Sequence, residues 1–321
     1  MKQFLYNSFS RVAGDRILWR LSSNRLRILC YHGVCADNLM EAPWIPQYFV
    51  TKSAFEMQLQ YLQDNCNVLP LGDGVSKLRN GSLPPRAVCI TFDDGYANNL
   101  CLAYTLLRKY QMPATIFLSS AYIRSGELLP FLKLKLIQLN QGQDNDVSAQ
   151  PLLEYKSNPL DQVVERVDGR WGKVKAYLSE AQYQTLRSLT EEEVKTADQK
   201  LIEFGAHGDT HCILRNESPE RREREIRSSI ARVGELSGRP VRFFSYPNGE
   251  RGDFNESDKA ILRAEGIHAA VSGIAGANNR DSDLLELKRY PVTIGHDRAR
   301  FRAEVTGFRT GLLRLAGRRI S

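Results

Sequence analysis

The chain has 321 residues, of which 42% are apolar, so it is long enough to bury one large core or two smaller ones. Its net charge of +7 permits an anionic partner, but there is no basic stripe with interleaved aromatic residues, which disfavours a nucleic-acid-binding protein. No segment reaches the roughly 20 apolar residues of a transmembrane helix. None of the six cysteines forms a CxxC pair, which argues against a structural zinc site.

Both ends of the chain are basic and carry apolar residues at roughly helical spacing. Residues 1–24 predict an amphipathic helix, and residues 301–321 form a basic tail of similar composition. Charged residues interrupt the first segment too often for a signal peptide, so we expect a cytoplasmic protein. Two interpretations of the ends stay open: peripheral contact with a membrane surface, or packing against the rest of the protein.

Residues 25–300 alternate predicted strands and helices, the pattern of an α/β fold with a parallel sheet. The apolar run Arg27–Tyr31 predicts a buried strand that ends at a His-Gly turn. A helix is predicted over about 53–63, with Ser53 as its N-cap and apolar residues on one face.

The next elements form a βαβ unit and then an interruption. The strands Ala87–Phe92 and Ala114–Leu118 flank a predicted helix over 97–110. Residues 125–199 are polar and interrupt the alternation of strands and helices. They therefore predict an inserted helical segment, with a helix over 178–199 in particular. The alternation then resumes with predicted strands at 201–206, 241–246 and 267–272 and helices at 219–237 and 256–265.

Four clusters of polar residues follow predicted strands, where parallel α/β folds place their active sites. The first is Asp93-Asp94-Gly95. Adjacent carboxylates at a strand end point in different directions, so one could bind a metal while the other serves as a base. An ordinary Asp-Gly turn is the alternative for this motif alone.

The second cluster holds His207 and His211, spaced i and i+4. On a helical turn this spacing places both imidazoles on one face, close enough to share a metal. A pair of surface histidines is the alternative. Two histidines and one carboxylate with open coordination positions would form a catalytic rather than a structural metal site.

The other two clusters are weaker signals. The turn around Asn248, PNG at 247–249, exposes backbone N–H groups of the kind that an oxyanion hole requires, although such turns are common without any function. His32 ends the first strand and could be a general acid or a hydrogen-bonded core histidine. His296, which follows a later strand, is a second candidate.

Taken in order, these motifs resemble those of the polysaccharide deacetylase family, also called carbohydrate esterase family four or the NodB-homology fold. The resemblance rests on TFDDGY at 91–96, AHGDTHCIL at 206–214 and FSYPNG at 244–249, with support from YHGV at 31–34 and LKRYPV at 287–292. It implies a distorted (β/α) barrel, here with the inserted helical segment, and a divalent metal cofactor that is usually zinc.

The resemblance also implies roles for individual residues. The three metal ligands would be Asp94, His207 and His211. Asp93 would be the base that deprotonates a metal-bound water, the nucleophile of the reaction. Arg289 would pair with that base and orient it, and the backbone N–H of Asn248 would help to bind the oxyanion.

The general acid is implied less directly. The usual family arrangement uses a histidine late in the chain, which favours His296, whereas a circularly permuted branch carries the acid in an N-terminal Tyr-His motif. This chain resembles that branch, so His32 is predicted as the acid. The residues that depart from the family pattern, including Gly208, Ser245 and Asn248, concern substrate binding and the acid more than the metal site.

The implied reaction is hydrolysis of an N-acetyl group on an amino sugar, in a glycan or in a lipid- or nucleotide-linked precursor. Two alternatives stay open: a catalytically silent glycan-binding module on the same fold, and a metal hydrolase of another amide or ester. Asp93 beside a complete ligand set argues against the silent module, because binding alone needs no base. The sequence does not separate the other substrates, since substrate choice lies in loops and in the insertion.

Overall fold

The computed structural model of the protein describes residues 24–140 and 150–308. The helix predicted at 1–24, apart from Asn24, and residues 309–321 of the basic tail lie outside the described residues. Within the described ranges, no helix combines the length and the apolar content that a membrane span requires.

The described residues form ten strands, and seven of them make a closed barrel. The strands are β1 (Arg27–Tyr31), β2 (Val34–Cys35), β3 (Val50–Thr51), β4 (Asn67–Val68), β5 (Ala87–Phe92), β6 (Ala114–Leu118), β7 (Ile202–Ala206), β8 (Phe243–Ser245), β9 (Ala269–Ala275) and β10 (Leu287–Pro291). The barrel order is β1-β10-β9-β8-β7-β6-β5, and pairing of β5 with β1 closes it. All of these pairings are parallel, which confirms the predicted distorted (β/α) barrel.

Helices surround the barrel and connect most of the successive parallel strands, whereas β9 and β10 are joined by a loop without a helix. The described helices are α1 (Lys52–Asn65), α2 (Leu71–Asn80), α3 (Tyr104–Lys109), α4 (Ser120–Ile123), α5 (Pro130–Asn140), α6 (Gln150–Ser157), α7 (Leu160–Lys175), α8 (Glu180–Leu186), α9 (Glu191–Lys195), α10 (Pro219–Ser237), α11 (Glu256–Ala264) and α12 (Arg298–Val305).

Alternate residues of each strand face two different cores. In β5, Ala87 and Cys89 belong to the smaller cluster that fills the barrel, whereas Val88 and Ile90 pack outward beneath the helices. All six residues of this strand are buried, which explains its continuous apolar run. Space inside the barrel is tight: a Cβ added at Gly205 would lie 2.6 Å from the ring of Phe117.

Two helix predictions were wrong in detail, for local reasons. The predicted helix at 178–199 is split into α8 and α9, because Ser179 and Thr190 each open a capping box and start a new helix. Helix α1 is capped by Thr51, whose hydroxyl accepts from the backbone N–H of Ala54 at 3.2 Å, and not by Ser53.

The segment after the Asp-Asp-Gly motif also differs from its prediction. Instead of a regular helix from residue 97, a π-helical turn at Asn99–Ala103 precedes α3. The side-chain amide of Asn99 donates to the carbonyl oxygen of His32 at 2.6 Å, and Asn98 accepts from the backbone N–H of Val34 at 2.8 Å. This irregular turn therefore holds the chain that leaves β1 beside the end of β5.

The predicted insertion is helical and lies between β6 and β7. Its described residues form α5 to α9, and α5, α6 and α7 pack on one another. Apolar residues of these helices join the outer core, among them Phe131, Tyr155 and Trp171. The insertion therefore packs into the main core of the protein.

Candidate active site

The carboxyl ends of the parallel strands bring the polar clusters together at one rim of the barrel. His32 follows β1, Asp93 follows β5, and His207 follows β7. Ser245 ends β8, and Arg289 lies in β10. Full pairing of β1 with β5, up to Tyr31 opposite Phe92, sets His32 level with Asp93.

Asp94, His207 and His211 converge on one point. Asp94 Oδ1 lies 3.0 Å from His211 Nε2 and 3.4 Å from His207 Nε2, and all three side chains are buried. Burial by itself would raise the pKa of Asp94, but the two imidazoles outweigh it and hold that pKa well below its usual range. An ionised carboxylate and two imidazole nitrogens within 4.8 Å of one another fit a divalent cation such as zinc.

The loop around the two histidines is not the helical turn that the sequence predicted. Residues 207–211 are irregular, and both Gly208 (φ 71°) and His211 (φ 59°) adopt the left-handed region. Glycine suits the first position, since an added Cβ there would also lie 3.2 Å from the Pro247 ring. The imidazoles meet because the chain turns back on itself, not because of helical periodicity.

Each of the two histidines has its Nδ1 engaged away from Asp94. His207 Nδ1 lies 2.8 Å from the carbonyl oxygen of Ser245, and His211 Nδ1 lies 2.7 Å from the hydroxyl of Tyr155. A hydrogen bond at Nδ1 leaves the Nε2 lone pair for a metal, an arrangement common around metal-binding histidines.

Asp93 points away from Asp94 and pairs with Arg289. The backbone of Asp94 is left-handed (φ 74°), so the two carboxylates diverge. Arg289 Nη1 donates to Asp93 Oδ1 at 2.7 Å, and Nη2 donates to Oδ2 at 2.6 Å. Burial opposes ionisation, but Arg289 outweighs it and lowers the pKa of Asp93 to about 2.

Arg289 is itself held by the strands around it. Its Nε donates to the carbonyl oxygen of Ser272 at 2.9 Å, where the register between β9 and β10 shifts. Ser245 Oγ contributes as well: it accepts from Arg289 Nη2 at 3.0 Å and donates to Asp93 Oδ2 at 3.3 Å. The sequence flagged Ser245 only as a departure from the family pattern, yet its hydroxyl bridges both partners of the ion pair.

His32 lies beside Asp93, as the sequence predicted. One ring nitrogen of His32, one oxygen of Asp93 and the Sγ of Cys30 all lie within 4.8 Å of one another. The ring is partly exposed and packs on Tyr48, with a centroid distance of 4.8 Å. Its Nδ1 is buried and has no hydrogen-bond partner among the described residues. Burial lowers the pKa of His32, and the charges of Asp94 and Asp93 oppose that shift.

The trio of Cys30, His32 and Asp93 is a poorer cation site than the first. The guanidinium of Arg289 already occupies both oxygens of Asp93, and its positive charge disfavours a cation there. Burial also raises the pKa of the Cys30 thiol well above its usual value. The protonated thiol instead approaches Asp93 Oδ2 at 3.6 Å as a weak donor.

His296 is not part of this cluster. It is buried, and its Nδ1 accepts from the backbone N–H of Thr293 at 2.7 Å. Its Nε2 lies 3.9 Å from Glu304 on α12. Both contacts belong to the loop and helix that follow β10, so the structure brings His32, and not His296, to Asp93.

Asn248 borders the site. Its backbone is left-handed (φ 59°), and its side-chain amide donates to Asp253, away from the cluster. The adjoining Pro247 packs against Gly208, so the turn touches the histidine loop. The predicted oxyanion role of the Asn248 N–H stays a prediction.

Three contributors were missed in the sequence. Cys30 had a usable signal, because residues two apart in a strand share a face and Cys30 therefore points the same way as His32. Tyr96 hydrogen-bonds Asp94, and its hydroxyl lies 3.2 Å from that of Tyr48. Tyr155 had no signal at all, since nothing in the sequence of the insertion indicates that α6 reaches His211.

Comparisons with known proteins agree with the motifs. A family model described as "Polysaccharide deacetylase" matches residues 80–270. The protein YxkH of Bacillus subtilis (strain 168) is 23% identical over 283 residues, which cover 88% of this chain and 76% of YxkH.

A second relative matches over a shorter stretch. The poly-beta-1,6-N-acetyl-D-glucosamine N-deacetylase of Staphylococcus aureus (strain MSSA476) is 34% identical over 113 residues. These residues cover 32% of this chain and 39% of that enzyme, so the match spans less than half of its length.

Among solved structures, the deacetylase PplD of Streptococcus pyogenes, in complex with acetate, shares the fold. It superposes with a TM-score of 0.62 at 18% sequence identity, covering 88% of this chain and 98% of PplD. At this level of identity the likeness concerns the fold alone.

Proposed function

Because this chain belongs to the polysaccharide deacetylase family, we propose that it is a metal-dependent hydrolase that removes N-acetyl groups from amino sugars of a glycan. Water would cleave the amide, giving a free amine on the sugar and acetate. The observation that carries the proposal is the buried Asp93, paired with Arg289, next to three converging ligand atoms of Asp94, His207 and His211.

The ligand set would hold one divalent cation, with zinc the best match to two imidazoles and a carboxylate. When bound, such a cation would polarise the acetyl carbonyl and lower the pKa of a water molecule towards about 7. Asp94 is already ionised in the folded protein, so it would bind the cation without first losing a proton.

Asp93 would accept the proton of the attacking water. Arg289 keeps this carboxylate ionised and fixes both of its oxygens, so the base needs no reorientation before the reaction. The low pKa of Asp93 makes it a weak base that gives the proton up again readily.

His32 would protonate the departing amine, since an amide nitrogen leaves only after it gains a proton. The partly exposed ring stands beside Asp93 and is anchored through its carbonyl to Asn99. Burial lowers the pKa of His32, which makes its protonated form a better proton donor than an ordinary imidazolium. The backbone N–H of Asn248 would donate to the developing oxyanion.

The form of the substrate and the location of the protein are proposed on separate grounds. A polymer and a lipid- or nucleotide-linked precursor would both present the acetamido group that this chemistry requires. Residues 301–305 of the predicted basic tail pack on the protein, because Phe301 and Val305 of α12 are buried in the outer core. We propose a cytoplasmic protein whose remaining basic ends, residues 1–23 and 309–321, contact an anionic membrane surface.

The direct test is release of acetate from acetylated oligosaccharides of different linkage, including β-1,6-linked N-acetylglucosamine, with and without a chelator. We expect turnover that the chelator abolishes and added zinc restores. His207→Ala should lose both metal and turnover. Asp93→Asn should keep the metal and lose turnover by about 10²–10⁴-fold, because only the base is removed.

Asp64→Asn is the matched control, since Asp64 is an exposed aspartate at the C-terminal end of α1, just before β4. It should turn over like the wild type. Turnover that is insensitive to the chelator, or normal rates in Asp93→Asn, would rule out the proposed mechanism. Binding of the oligosaccharides without any acetate release would favour the silent glycan-binding module.

A further inference from the structure

The insertion reaches the candidate metal site through one side chain. Tyr155 lies on α6 and is buried. Its hydroxyl is 2.7 Å from His211 Nδ1, and it also donates to the carbonyl oxygen of the same residue. The rings of Tyr155 and His211 both pack against Phe131 of α5, at centroid distances of 5.4 and 5.3 Å.

The segment that carries Tyr155 is fastened to the loop that carries His211. Lys156 forms an ion pair with Glu250 at 2.7 Å, and its carbonyl oxygen accepts from the side-chain amide of Asn216 at 3.1 Å. Further along, the backbone N–H of Leu160 donates to Glu217 at 2.8 Å. The contacts with Asn216 and Glu217 join the chain just after Tyr155 to the segment just after His211, so its hydroxyl has a defined place relative to that imidazole.

The contact of the Tyr155 hydroxyl with Nδ1 suits one tautomer of the His211 ring. In the tautomer that binds a metal through Nε2, Nδ1 carries the hydrogen and donates it to the Tyr155 hydroxyl. The Nε2 lone pair then faces Asp94, whose Oδ1 lies 3.0 Å away. His207 has a comparable partner for Nδ1 in the carbonyl oxygen of Ser245, which belongs to the barrel itself.

His211 needs such support more than His207 does. Its backbone is in the left-handed region (φ 59°), which is uncommon for residues other than glycine, and no helix holds it. The hydroxyl of Tyr155 contacts both the backbone oxygen and the ring, so it links the unusual backbone conformation to the ring orientation.

We propose that Tyr155 is a positioning residue for His211, and that the insertion thereby completes the metal site. The proposal rests on the proposed metal-dependent function. It gives the insertion a role at the metal, distinct from any role in binding the glycan.

The test is metal affinity at fixed pH, measured with zinc by competition against a chromophoric chelator and with cobalt by its visible absorption. Tyr155→Phe removes only the hydroxyl and keeps the ring packing. We expect its affinity for zinc to fall about 10- to 100-fold, the usual effect of losing a hydrogen-bonding partner of a metal ligand. The cobalt spectrum should change shape as well, because the His211 ring is freed to rotate.

Tyr183→Phe is the matched control. Tyr183 lies on α8 of the same insertion, and its hydroxyl donates to the carbonyl oxygen of Gly126 at 3.2 Å. It should bind zinc like the wild type. Urea unfolding of both metal-free variants separates loss of affinity from loss of fold.

Wild-type affinity and an unchanged cobalt spectrum in Tyr155→Phe would overturn the proposal. Equal losses in Tyr155→Phe and Tyr183→Phe would also overturn it, since they would indicate general loosening of the insertion. A wild-type protein that binds neither zinc nor cobalt would instead refute the proposed function, and this inference with it.

Discussion

Removal of the Arg289 guanidinium, by Arg289→Met, tests the charge pairing on which the proposed base depends. Arg289 and Asp93 are both buried, and two hydrogen bonds of 2.6 and 2.7 Å join them. Methionine keeps much of the volume but removes the cation that faces the carboxylate of Asp93. The hydroxyl of Ser245 and the thiol of Cys30 remain as hydrogen-bond donors, and the rings of His207 and His32 lie nearby.

The expected cost is large for a single substitution. Removing one partner of a buried ion pair leaves an uncompensated charge and typically costs about 3–5 kcal/mol. A domain has a total unfolding free energy of about 5–15 kcal/mol, so the loss should be plain in a denaturation curve. The metal-free protein should therefore be markedly less stable at pH 7, with its fold retained.

The sign of the pH dependence gives a second check. In the wild type the pKa of Asp93 is lowered to about 2, so its stabilising contribution of about 2 kcal/mol is present above pH 4 and lost as the pH falls towards 2. In Arg289→Met the largest influence that opposes burial is gone, so the pKa of Asp93 rises. Acidification from pH 7 then protonates the buried carboxylate of Asp93 in the variant and removes its unpaired charge. The difference in unfolding free energy between the wild type and the variant therefore becomes smaller.

Urea unfolding at pH 7 and at pH 4.5, both with chelator, measures these quantities. Arg242→Met is the matched control: Arg242 pairs with Glu203 at 2.5 Å, but its side chain is 50% exposed. A surface pair contributes about 0–1 kcal/mol, so this variant should stay close to the wild type at both pH values. The reasoning would be refuted if the unfolding free energy of Arg289→Met at pH 7 were less than about 1 kcal/mol below that of the wild type, or if this difference grew on acidification.

Two further predictions concern the general acid and the ends of the chain. His32→Ala should keep its metal and lose turnover by about 10²–10⁴-fold, whereas His296→Ala should affect stability more than rate. The assignment would be reversed if His296→Ala bound metal but were inactive while His32→Ala turned over like the wild type. The intact protein should float with vesicles of anionic lipid, and a protein trimmed of residues 1–23 and 309–321 should float less. Equal flotation of the two would leave these ends without a role at membranes.

The sequence by itself determined the order of elements and the class of fold. Alternating apolar runs and helical periodicity placed β5, β6 and α10 within a residue of where they lie, because each signal is local. The family resemblance of the motifs is confirmed as well. Since parallel strands deliver their carboxyl ends to one rim, the sequence also indicated that Asp93, His207 and His32 would lie near one another.

Local pattern failed where two local signals compete. The i, i+4 spacing of His207 and His211 predicted a helical turn, but Gly208 favours a left-handed turn and the strand before it leaves no helix to join. The polar stretch at 178–199 has helical composition throughout, yet two capping boxes divide it, and capping outweighs propensity at those positions.

The tertiary structure alone decided how the functional side chains are partnered. Arg289 and Asp93 are 196 residues apart in sequence, and Tyr155 and His211 are 56 apart. Periodicity tells which face of its own element a residue occupies, but it carries no information on the element that packs against that face. Closure of the barrel and docking of the insertion determine those neighbours. A buried polar group has no access to water, so its hydrogen-bond partners are the groups that the surrounding elements place beside it.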